Sequence, residues 1–108
     1  MAAASGVTIA IESPRLSIFP GAREIAAENR SGGLGTNRLQ FAPTTMTDGV
    51  SADLLDLCYD PQTSGGLLAS VDAAALDAIV AELTVAGVPA YVIGRVETRR
   101  EVLVRMLA

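Results

Sequence analysis

The stretch CYDPQTSGGLLASV, Cys58 to Val71, decides how this chain is read. It ends a helix-like run, passes through Asp60, Pro61, Thr63, Ser64, Gly65 and Gly66, and leaves on an apolar run. Pro61 turns Asp60 away from helical geometry, so the preceding helix stops there. The glycine pair lets backbone approach a ligand or a neighbouring strand closely, and Thr63 and Ser64 add hydroxyls beside it. Two readings are open. One is a tight turn whose hydroxyls satisfy local donors; the other is a wall of backbone N–H groups facing an anion such as a phosphate. LLASV then reads as a buried strand.

Working outward, ADLLDLCY behind Ser51 reads as a short capped helix with Leu54, Leu55 and Cys58 on one face. That makes Cys58 a buried structural thiol, since no His or Lys exists to lower its pKa. Asp53 and Asp60 are candidate metal ligands and, equally, capping or solvated carboxylates. Downstream, Asp72 caps a helix in which Leu76, Ile79, Val80, Leu83 and Ala86 recur at helical spacing, and Gly87 ends it. PAYVIGRV and EVLVRML follow as strands of a terminal hairpin, with Arg95, Arg99 and Arg100 solvating it.

Upstream, MAAASG reads as the last turn of a helix closed by a left-handed Gly6, which places Met1 inside a longer element. VTIAIE is a strand ended by Ser13-Pro14. FPGAREIAAENR is a helix entered at Pro20 and stopped by Ser31-Gly32-Gly33. SGGLGTNR, with Thr36 and Asn37, is a flexible connector or a ligand loop, and LQFAPTTM is a short strand that Pro43 confines to an edge. Interleaved helices and strands give an α+β class, a mixed sheet with helices packed against it.

Composition narrows the function. The 108 residues suit one domain that buries roughly 65% of its unfolded surface, with an aliphatic core because only four residues are aromatic. All eight cations are arginine; there is no Lys and no His. A self-contained phosphotransferase of the P-loop type needs a Lys on the phosphates, and arginine is always protonated and cannot act as a base. An acidic chain with so few aromatics offers neither the basic stripe nor the stacking platform of a nucleic-acid binder. One Cys permits no internal disulfide and fits a reducing, cytoplasmic setting, and the five-residue VTIAI run is too short to span a membrane.

DPQTSGGLL, Asp60 to Leu68, resembles the signature of the C-terminal domain of the selenophosphate synthetase (selenide, water dikinase) family, within the aminoimidazole ribonucleotide synthetase-like C-terminal domain superfamily. SGVTIAIE, IFPGAREIA and AGVPAYVIGRV resemble further segments of that domain, and SGGLGTNR is similar to its Gly-Thr-x-x-Asn loop in loosened form. The resemblance implies a single, partial C-terminal domain over residues 1–108, partly ferredoxin-like and truncated at its N-terminal helix. It implies a parent that makes selenophosphate from selenide and ATP with Mg²⁺, releasing AMP and phosphate. In such a parent this domain accompanies an N-terminal nucleotide-binding half that forms a homodimer and carries the catalytic Cys or selenocysteine and the Lys. No residue here matches those groups, so the chain is expected to be inactive alone, with no catalytic residue, metal ligand or cofactor of its own. Thr63, Ser64, Gly65 and Gly66, with Asp60 and Asn37, are the expected wall near the ATP phosphates. The rival reading is a stand-alone regulatory or assembly module of ferredoxin-like build that dimerises and covers its sheet edge.

Overall fold

A computed structural model describes residues 1–26, 28–62 and 66–108. Helix α1 (Ala2–Ser5) is a single turn, closed by Gly6 at φ 63° with its N–H bonded to the carbonyls of Ala2 and Ala3. This is the left-handed cap that the small-residue run predicts. Strand β1 (Val7–Glu12) follows. Four strands form one mixed sheet in the order β2-β4-β1-β3, with β2 at Thr45–Met46, β3 at Gly94–Thr98 and β4 at Val104–Leu107. β1 runs antiparallel to β3 and parallel to β4, pairing Ala10 with both Arg95 and Arg105. The α+β class with a mixed sheet therefore holds.

Several local expectations change. β3 and β4 form no hairpin, because β1 lies between them. The connection 99–103 crosses the end of β1, where buried Thr8 donates its hydroxyl to the Val102 carbonyl and accepts from the Arg100 N–H. A long-range hydroxyl contact thus overrides the local turn signal. PAYVIGRV yields a strand only from Gly94 onward. The SGGLGTNR connector is helical: α3 spans Gly32–Phe41 with Ser31 at its N-cap position. The glycines that were expected to stop one helix stand at the start of the next, which tertiary contacts with α4 make possible. Helix α2 is only Ala22–Ala26, beginning after Pro20. LQFAPTTM contributes the end of α3, a 3-10 turn at Ala42–Thr44 and the edge strand β2. Helix α4 is Ala52–Tyr59, as the Ser51 signal predicts.

The largest departure is LLASV. Residues 67–71 form no strand and are exposed, Leu67 fully so. Asp72 accepts from the Ala74 N–H and opens a 3-10 turn that leads into α5 (Leu76–Val85). Gly87 at φ 71° closes α5 with paired bonds from its own N–H to Thr84 and from Val88 to Leu83. Yet α5 makes no extensive contact with any element except the turn that precedes it. Residues 66–90 are an arm, and the remainder is the body.

The body holds two small buried clusters instead of one aliphatic core. Ala2, Thr8, Ala10 and Met106 are buried around the sheet, and Ala26, Leu34, Leu54 and Tyr59 among the helices. The accessible surface of 7522 Å² exceeds the roughly 5,700 Å² of a compact monomer of this mass. The radius of gyration, 14.8 Å, likewise exceeds the ~13 Å typical of this length.

Candidate functional site

Helix α4 delivers the start of the DPQTSGG stretch and is anchored through three carboxylates. Asp53, Asp56 and Asp60 recur at spacings of three and four, so they point to one side of the helix, toward α2 and α3. Asp53 pairs with Arg23, whose guanidinium also donates to Ser51 Oγ. The hydrogen bonds from Arg23 and Ser51 hold the Asp53 carboxyl at about 2. Asp56 is 2% exposed and receives Arg30 on Oδ2 at 2.7 Å and Arg38 on Oδ1 at 3.0 Å. Arg38 also lies 5.7 Å from the centre of the Tyr59 ring, a cation–π contact. A buried carboxylate needs such partners, because desolvating it alone costs several kcal/mol.

Asp60 ends α4 at ψ 131°, the extended geometry that Pro61 imposes. Its Oδ1 accepts from Ser31 Oγ, and Asn37 Nδ2 donates to the Tyr59 carbonyl at 2.9 Å. Gly33 is needed here: a Cβ would sit 2.6 Å from Pro61 Cγ. The first turn of α3 therefore lies directly against the signature. Gln62 N–H closes back on the Asp60 carbonyl at 2.8 Å, and Gly66 takes φ 54°. Between α2, α3 and α4 opens a cleft of about 200 Å³, walled by Ile25, Leu34 and Leu57 with Asp56, Asp60 and Gln62.

The sequence-derived site is thus brought together in part. Asp60 and Asn37 meet at the signature, where Asp60 Oδ1 accepts from Ser31 and Asn37 Nδ2 donates to the Tyr59 carbonyl. Thr63, Ser64 and Gly65 lie outside the described residues. The clamp of Asp56 with Arg30 and Arg38 was missed, although the three-four spacing of the α4 carboxylates marks it. Cys58 is exposed, contrary to its expected burial, yet desolvation still pushes its thiol pKa up. Among the described residues no group of three or more His, Cys, Asp or Glu gathers. Asp56 has both carboxylate oxygens paired, whereas Asp53 is paired through Oδ2 and Asp60 through Oδ1.

Arg95, Arg100 and Arg105 converge on Glu97, and Arg95 and Arg15 on Glu12, forming one network across a sheet face. Burial opposes ionisation of Glu97, but hydrogen bonds from Arg105 and Arg100 and their charges lower its pKa. No described helix is long and apolar enough to cross a membrane.

A helical layer tied by arginines beside a mixed four-stranded sheet makes this an α+β domain. Residues 1–106 match the family described as AIR synthase related protein, C-terminal domain, and the chain belongs to that family. Among curated relatives, it is 39% identical over 98 residues to a selenide, water dikinase of Nitratidesulfovibrio vulgaris, covering 89% of this chain and 28% of the relative. It is 37% identical to selenide, water dikinase 2 of Peptoclostridium acidaminophilum, over 94% of this chain and 30% of that protein. The homologue of Clostridioides difficile is 34% identical over 99% of this chain and 32% of its own length. The chain therefore spans under a third of these relatives.

Proposed function

We propose that residues 1–108 are the C-terminal domain of a selenophosphate synthetase, acting in the cytoplasm beside an N-terminal nucleotide-binding half that dimerises. The observation that carries this reading is the similarity to selenide, water dikinases along nearly the whole chain, confined to under a third of each relative. In that role the parent uses ATP and Mg²⁺ to make selenophosphate from selenide, and this domain shapes the phosphate side of the site. Thr63, Ser64, Gly65 and Gly66 supply the wall, with backbone N–H groups suited to anionic oxygens. Asp60 and Asn37 tie the end of α4, where the signature begins, to α3. With no Lys or His, the chain contributes shape and leaves metal binding and the nucleophile to the other half.

The test is ³¹P NMR of the purified chain with ATP, selenide and Mg²⁺, alone and after adding the N-terminal two-thirds of the Nitratidesulfovibrio homologue. No selenophosphate is expected from either part alone, and a selenophosphate signal is expected from the mixture. Turnover by the chain alone that follows it through purification contradicts the reading, as does a mixture that stays silent while the intact homologue is active.

A further inference from the structure

Positive charge in this chain is concentrated on one face of the sheet. Met46, Arg105, Ala10 and Arg95 stand in register as a single row across β2, β4, β1 and β3, so their side chains share that face. Glu12 and Glu97 lie on it too, each two residues along its strand from a member of the row. Ala10 is fully buried between the two arginines. From the chain just beyond β3 and β1, Arg100 reaches Glu97 at 2.7 Å and Arg15 reaches Glu12 at 2.7 Å. Four guanidiniums thus share two carboxylates, an excess of two positive charges in a chain of net −4. The α4 layer has no such excess, because Arg23, Arg30 and Arg38 stand among Asp53, Asp56 and Asp60.

This face is open. The side chains of Arg15, Arg95 and Arg100 are each more than half exposed, and among the described helices only α1 makes extensive contact with a strand. Arg100 meets Glu97 through Nε, so its two terminal nitrogens have no bond among the described residues. Small-molecule sites are concave, and neither the cleft between α2, α3 and α4 nor the groove at Phe19 and Tyr91 is lined by any of these arginines. Single-stranded nucleic acid calls for aromatic stacking platforms, and no residue of the network is aromatic. We infer that this face docks an acidic segment of another protein, whose Asp and Glu carboxylates take the open guanidinium edges of Arg15, Arg95 and Arg100. Arginine suits the task, because its planar fork can donate to a second carboxylate while keeping the first. Glu12 and Glu97 hold the guanidiniums in place beforehand, which lowers the ordering cost of binding.

Fluorescence anisotropy of fluorescein-labelled oligoglutamate, titrated with the whole chain, tests this. Binding is expected at low salt and is lost as salt is raised, although the net charge of −4 opposes it. Arg95→Ala and Arg100→Ala should each weaken it about fivefold, the scale of one exposed ion pair, with unchanged far-UV circular dichroism. Arg23→Ala removes the same charge from the α4 layer and should leave binding as it is. Absence of binding at low salt, an equal loss in Arg23→Ala, or tighter binding of labelled oligouridylate each overturns the inference. Self-association of the chain that Arg95→Ala abolishes also overturns it, since the occupant would then be a second copy.

Discussion

The α4 layer and the arm are built from similar residues and behave in opposite ways. Around α4, every helix is tied sideways: Arg23 to Asp53, Arg30 and Arg38 to Asp56, Ser31 to Asp60 and Asn37 to Tyr59. In the arm, α5 is the longer helix and its entry is capped by Asp72, yet among the described residues it makes extensive contact only with the turn that precedes it. Local signals are sufficient to make a helix, but cross-element contacts decide whether it belongs to a core. Arginines supply these contacts for the body, and the arm carries no arginine.

The sharpest way to break the contrast is to damage the body where its backbones are closest. A Cβ on Gly94 would overlap the Ala10 carbonyl oxygen, so Gly94→Ala should cost about 3 kcal/mol by forcing β3 off β1, measured by urea unfolding. Asp56→Ala should come next, at about 2 kcal/mol, the scale of lost hydrogen bonds to a charged group, reduced because Arg30 and Arg38 are half exposed. Gly33→Ala should cost about 1 kcal/mol, since the contact with Pro61 opposes the helical gain of alanine.

Acid provides a gentler probe. The Asp53 carboxyl is held at about 2, below the ordinary 3.8, by its hydrogen bonds to Arg23 and Ser51. A folded-state pKa below the unfolded one means stabilisation that is complete above the unfolded pKa and lost as pH falls through the folded value. Asp53→Asn should therefore flatten the loss of stability between pH 4 and pH 2, read from urea midpoints at each pH. The smallest effect belongs to the arm: Leu67→Ser in dilute solution should change stability by no more than about 0.5 kcal/mol. A larger loss would place that side chain in a core.

Much of the fold is legible in the sequence where a single residue dictates local geometry. Gly6 caps α1, Ser51 precedes α4, Asp72 and Gly87 bracket α5, and Pro61 ends α4. What failed depended on partners distant in sequence. The glycines of α3 are helical because Gly33 must lie against Pro61, and the expected hairpin is split because Thr8 pins residues 100 and 102 across β1. LLASV has the pattern of a buried strand, but pattern alone supplies no neighbour. At the site, Asp60 and Asn37 were recognised by resemblance, while the Asp56 clamp required knowing that α2 and α3 converge on one side of α4.

Hydrogen exchange followed by mass spectrometry, at a concentration low enough to keep the chain monomeric, tests the division most directly. The account predicts that amides of β1, β4 and α4 exchange only through global unfolding, while those of 67–71 and α5 exchange orders of magnitude faster. Protection of α5 equal to that of α4 under the same dilution would contradict it, because the arm would then share the body's core.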